Sequence, residues 1–106
     1  MSDIYHDYQS ALDRARELEE YADELKKLYE NDLDSMHSLL LSNWSGISAE
    51  EAIKKYDKIK ETVKKEERQL RFSANSIRTI SKTWYETEKR IQEELERARQ
   101  RLNLKP

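Results

Sequence analysis

The side chains best able to do chemistry in this chain are His6 and His37, and their spacing argues against it. A helical metal site places its second ligand one turn on, at i+4. There His6 meets Ser10 and His37 meets Leu41. The chain has no cysteine, which excludes disulfides, thiol catalysis and thiolate metal centres. Its many carboxylates are spread along helix faces among basic neighbours, as Glu61 is with Lys64 and Lys65. That is the pattern of a solvated face, not of a pocket that shifts a pKa. No glycine-rich loop is present to cradle phosphate. A basic cluster of Lys54, Lys55, Lys58, Lys60, Lys64 and Lys65 could meet anionic lipid, wall polymer or nucleic acid. Only Tyr56 interleaves it, which is too little for base stacking, and Asp32 and Asp34 offer a nearer counter-charge. The residues therefore point to no catalytic centre, no metal, no cofactor and no nucleic-acid partner.

The elements that carry these residues are two long helices. Charged residues make up 40% of the 106, and mean hydropathy is −1.10. The apolar residues are nonetheless periodic, which separates an elongated helical protein from a disordered one. The first stripe runs Ile4, Tyr8, Ala11, Ala15, Leu18, Ala22, Leu25, Tyr29, Leu33, Met36, Leu40. Its steps alternate four and three, with one extra four at Tyr29–Leu33, a heptad with a local stutter. Ser2 or Asp3 caps its start. The second stripe runs Ala52, Tyr56, Ile59, Val63, Leu70, Ala74, Ile77, Ser81, Trp84, Ile91, Leu95, Ala98, Leu102, and Glu67 and Glu88 interrupt it. Either these two charges select a partner presenting Arg or Lys, or they rotate outward as the helix drifts from a strict heptad. The one glycine, Gly46, lies between the two stretches, and the one proline is the last residue. Ser48 and Glu51 form a capping box that restarts the chain as a helix. The expected architecture is all-α, a single antiparallel hairpin with helix 3–42, turn 43–47 and helix 48–103.

Charge and length say how the arms meet. Residues 1–46 hold four basic and eleven acidic side chains, and residues 47–106 hold sixteen basic and eleven acidic. An acidic arm against a basic one favours the hairpin and cancels much of the basic field. At ~1.5 Å per residue the second arm is longer by roughly 25 Å. Pairing around the turn sets residue 4 opposite about residue 86. Ile91, Leu95, Ala98 and Leu102 then extend past the first arm as an exposed apolar stripe, the mark of an interface. Two helices also cannot enclose a seam from all sides, so the spacing calls for a second chain and a four-helix bundle. No apolar run is long enough to span a bilayer, the longest being Leu39-Leu40-Leu41. The first residues show neither a basic nor an apolar region of a signal peptide.

At the turn, Gly46 reverses the chain without a Cβ penalty, and Trp44 can cover the open end of the hairpin. A Trp44-Ser45-Gly46 triplet at the one break between two long helices resembles the WXG family of small type VII secretion proteins, the early-secreted-antigen-like group. The resemblance covers the whole chain in architecture and Trp44 and Gly46 in strict motif. It implies a non-enzymatic hairpin that forms a homodimer or a heterodimer with another WXG-type or LXG-type hairpin. It implies residence in the cytoplasm before export by a signal-peptide-independent route, and recognition by a secretion ATPase. It also admits the role of targeting chaperone for a larger LXG-type effector.

The family's export signal is commonly a Tyr-x-x-x-Asp/Glu late in the second helix or in the tail after it. Here Tyr85 is followed by Lys89 at that distance, so the pattern fails, whereas Trp84 is followed by Glu88. Trp84, Tyr85 and Glu88 are the candidate signal, with Trp84 and Glu88 one turn apart on one face. The alternative is that Trp84 is core and Glu88 solvated. Two rivals come from other classes: an intracellular structural subunit of a helical bundle, and a peripheral membrane-surface protein using the lysines.

Overall fold

The computed structural model describes residues 3–43 and 46–104, without the side chains of Asn43, Ile47, Ser48 and Leu104. It is all-helical, with no strand among the described residues. The first arm comprises α1 (Ile4–Lys27), a π-helical segment (Leu28–Leu33) and α2 (Asp34–Asn43), and the second arm is one helix, α3 (Ile47–Leu104). They fold back as an antiparallel hairpin with extents of 93 × 16 × 15 Å. None of the described helices is long and apolar enough to cross a membrane.

Local chemistry accounts for the ends. The Asp3 carboxylate accepts from the backbone N–H groups of Tyr5 and His6 at 3.0 and 3.3 Å, which caps α1. Gly46 has φ +87°, the one positive φ among the described residues. A Cβ there would meet nothing within 4 Å, so the demand for glycine is conformational and not steric crowding by a neighbour. α3 begins at Ile47, and the Gly46 carbonyl accepts from the Glu50 N–H at 3.2 Å. Ser48 falls inside the first turn of the helix and Gly46 occupies the cap position, while Glu51 is exposed. The Ser48 side chain and all of Trp44 lie outside the described residues.

The π segment coincides with the stutter. Its i→i+5 hydrogen bonds put one more residue into a turn than an α-helix holds. The extra residue between Leu25 and Leu33 is absorbed there, and Leu33, 9% exposed, stays on the stripe that carries Ala15 and Ala22. The first arm is thus not the uninterrupted helix 3–42 expected from its spacing.

The arms approach over small side chains. Ala15, Ala22 and Ala74 are fully buried, and no large side chain is. Close approach over alanine brings the longer polar side chains on the rim within reach across the seam. Tyr8 stacks on Tyr85 with ring centroids 4.8 Å apart, and Tyr5 meets the same ring edge-on at 6.3 Å. This sets the register, with the start of α1 beside Tyr85 and residues 89–104 of α3 extending beyond it.

Candidate protein–protein interface

α3 carries an unbroken heptad. Tyr56, Val63, Leu70, Ile77, Trp84, Ile91 and Ala98 recur every seven residues at d, and Lys60, Glu67, Ala74, Ser81, Glu88, Leu95 and Leu102 at a. The first arm sits over the a and e side. Lys60 donates to Asp34 at 2.6 Å, and the Tyr56 hydroxyl donates to the same carboxylate at 2.9 Å. Glu67 accepts from the Tyr29 hydroxyl at 2.5 Å and from Arg71 Nε at 2.7 Å, and Arg71 also reaches Asp23 at 2.9 Å. Arg78 pairs with Glu19, and the Lys64 ammonium lies 5.5 Å from the centre of the Tyr29 ring. The acidic first arm is clasped by basic residues of α3 along one rim of the seam. His37 is used structurally, stacked on Tyr56 at 4.7 Å.

These clasps shift the ionisable groups in the direction each contact requires. The hydrogen bond to Glu67, helped by burial, pushes the Tyr29 hydroxyl up to about 12. Burial, then the bond to Asp34, does the same to Tyr56, to about 12. Tyr29 and Arg71 hold Glu67 below the ordinary carboxylate value, Lys60 and Tyr56 hold Asp34 below it, and Arg78 holds Glu19 below it.

Glu67 therefore neither awaits an outside cation nor rotates to solvent. It lies in the seam, its side chain 12% exposed, with its partners supplied by the same chain. The sequence stripes also need correcting, at Met36 of the first arm, which is 53% exposed, and at two places on α3. Ile59 is 54% exposed and Lys60 takes the seam position beside it; Trp84 is 43% exposed while Tyr85 packs inward on Tyr8. Both changes on α3 have one cause. The long stems of Lys and Arg pack at seam edges while their charges reach the acidic arm, and this turns Ile59 at g and Trp84 at d away from it, while Tyr56 at d stays in the seam. The lysine cluster divides likewise. Lys60 and Lys64 face the first arm, whereas Lys54, Lys55, Lys58 and Lys65 are exposed, with no ion pair among the described residues.

The opposite rim is left open. On α3 it presents the g and d residues Ile59, Ile80 and Trp84, at 54, 68 and 43% exposure, beside half-buried Leu70 and Ile77. On the first arm, going round the helix from Ala22 away from Asp23, come Leu18, Leu25 and Tyr21 of α1 and Leu28 at the start of the π segment. The clasped sides of the two arms face each other, so both apolar flanks fall on the same broad side of the hairpin. Of the candidate signal, Trp84 borders this open side, Tyr85 is in the aromatic stack and Glu88 is half-buried. Past the start of α1, Ile91, Leu95 and Leu102 are 42, 54 and 69% exposed, with Ala98 half-buried between them.

Open grooves run along α3, lined by Lys65, Arg68, Gln69 and Phe72, by Phe72, Asn75, Ser76, Thr79 and Ile80, and by Lys89, Gln92, Glu93, Leu95, Glu96 and Arg99. No three His, Asp or Glu side chains converge as metal ligands among the described residues. What the arrangement presents is an apolar side left exposed along the hairpin. Compared with protein-family models, with curated proteins and with solved structures, the chain matches none of them.

Proposed function

We propose that this chain is a small, non-enzymatic type VII secretion protein of the WXG type. It is exported as a dimer or escorts a larger LXG-type effector as its targeting chaperone. The observation that carries the reading is the one-sided hairpin: a glycine turn between two long helices, an ionic clasp on one rim, and an apolar broad side with nothing covering it. A second helical hairpin laid on that side would complete a four-helix bundle, burying Tyr21, Ile59, Ile80 and the exposed edge of Trp84. The resemblance of Trp44-Ser45-Gly46 at the turn to the WXG motif supplies the secretion system. Trp84, at the border of the open side, is the residue best placed to be read by a partner or by a secretion ATPase.

The test is coexpression with the products of neighbouring genes in the source bacterium, and comparison of culture supernatants with the secretion ATPase intact and disabled. Copurification with the N-terminal region of a large WXG- or LXG-type protein, together with ATPase-dependent appearance outside the cell, is expected. Equal amounts outside in both strains would overturn the reading, and retention in the cell in both would favour an intracellular bundle subunit. Trp84→Ala is expected to reduce export or pairing more than helicity.

A further inference from the structure

We propose that residues 89–104 form a second, self-complementary docking surface, on which the same segment of another copy of this chain lies antiparallel, tail over tail. Within the hairpin, the a positions of α3 after Ile53 are Lys60, Glu67, Ala74, Ser81 and Glu88, polar or small, and Lys60 and Glu67 bond the first arm. Where the first arm ends, the same positions become Leu95 and Leu102, with Ile91 and Ala98 at d. The heptad thus changes from one suited to a clasped alanine seam to one suited to a coiled-coil seam at the point where the intrachain partner stops.

Length and charge select the occupant. Two copies of the overhang laid antiparallel about its midpoint bring Ile91 against Leu102 and Leu95 against Ala98, the a-to-d layers of an antiparallel pair. In that register the second copy's helix ends about where α1 begins, so each overhang fills the space the other's short first arm leaves. Glu94 and Arg101, both at g, then face each other twice across the two-fold axis. Inside one chain Arg97 lies 3.9 Å from Glu93 and Arg99 3.7 Å from Glu96, whereas Glu94 and Arg101 have no ion-pair partner among the described residues. Of the four charges in this segment without an ion-pair partner among the described residues, Lys89, Arg90, Glu94 and Arg101, the antiparallel register brings together the two at g.

This surface is distinct from the broad side used in the export reading, and its test separates the two. The contact is ~24 Å long, at the small end of specific interfaces, so dissociation on the order of 10 μM is expected. Small-angle scattering of the full chain, at concentrations roughly tenfold either side of that value, should show a dimer with a maximum dimension of about 160 Å, twice the 93 Å rod less the overlap. A chain that stays monomeric at the upper concentration, or a dimer no longer than the single rod, would overturn the proposal. The second result would place pairing on the broad side and leave the export reading intact. Glu94→Arg and Arg101→Glu should each weaken the dimer at least about tenfold, and the double variant should restore it, with circular dichroism confirming unchanged helicity. A double variant as weak as the singles would overturn the antiparallel register.

Discussion

The π segment permits a deletion that a regular helix would not. Removing Asn31, exposed and inside Leu28–Leu33, should let the widened turn close to an α-turn. Leu25, Tyr29 and the residue now at the Leu33 position then follow an ordinary four–three step, and every seam residue keeps its face. Removing Glu20, equally exposed but inside α1, has no wide turn to close. Each following residue steps back by one, so Asp23 enters the fully buried place of Ala22 and Lys26 enters the half-buried place of Leu25. Burying a carboxylate against alanine and losing its pairing with Arg71 costs about 3 kcal/mol. At 4–8 °C per kcal/mol for a domain of this size, that lowers Tm by roughly 12–24 °C. The Asn31 deletion should move Tm by no more than about 6 °C, corresponding to ~1 kcal/mol. Thermal unfolding followed at 222 nm, at one fixed protein concentration, compares the two. Equal losses for the two deletions would refute the idea that the π turn stores the extra residue of the stutter.

Two further outcomes are open to measurement. Tyr29 and Tyr56 have folded pKa values raised to about 12 from an ordinary 10.0, so their hydrogen bonds stabilise the hairpin fully below pH 10 and are lost as pH rises toward 12. Glu19, Asp34 and Glu67 are lowered from 4.5, 3.8 and 4.5, so their contribution is present above those values and is lost as pH falls through the folded pKa. Absorbance titration at 295 nm should show two of the six tyrosines titrating late or together with unfolding, and Tyr29→Phe should remove one. Urea unfolding should show stability falling on both sides of a plateau between about pH 5 and 9. Gly46→Ala, at φ +87°, should cost about 1–2 kcal/mol, read as a lower urea midpoint at unchanged slope, and a neutral result would mean the turn does not need its positive φ.

The hairpin could be read from the sequence because few signals competed. One glycine between two periodic stretches left one place to turn, and the difference in arm length exposed Ile91 to Leu102. The doubled four-residue step at Tyr29–Leu33 marked the site of the π segment, although spacing alone does not say whether a coil unwinds or a turn widens. The division of charge anticipated the clasp. What hydropathy could not show was which apolar residues face inward. Lys60 reads only as one member of a basic cluster near Asp32 and Asp34 and Glu67 only as an interruption of the stripe, yet each bonds the first arm, as Arg71 does. Ile59 and Trp84 both fall on the apolar stripe, Trp84 as candidate signal or as core, and both are turned to the open side. A stripe of apolar residues fixes a face only to within about one heptad position, and here ion pairs and alanine contacts decided the remaining rotation. Tyr85 could have been recognised from its partners, since Tyr5 and Tyr8 are the aromatics that antiparallel pairing brings beside it.

The clasps also set an order in time. Their sequence separations rise steadily along the rod: Asp34 to Lys60 spans 26 residues, Tyr29 to Glu67 38, Asp23 to Arg71 48 and Glu19 to Arg78 59. Closing the first of these loops costs the most chain entropy for the bond it makes, and each later rung closes only 10 to 12 residues more. Folding can therefore proceed from Gly46 outward, and opening from the Tyr8–Tyr85 stack inward. Amide exchange along α1 should grade in the same direction, fastest near Tyr5 and slowest toward Leu33. The end of the rod that opens first is the end where α3 projects and where a tail-paired copy would rest, so such a copy would hold shut the part of the hairpin that the chain alone holds least.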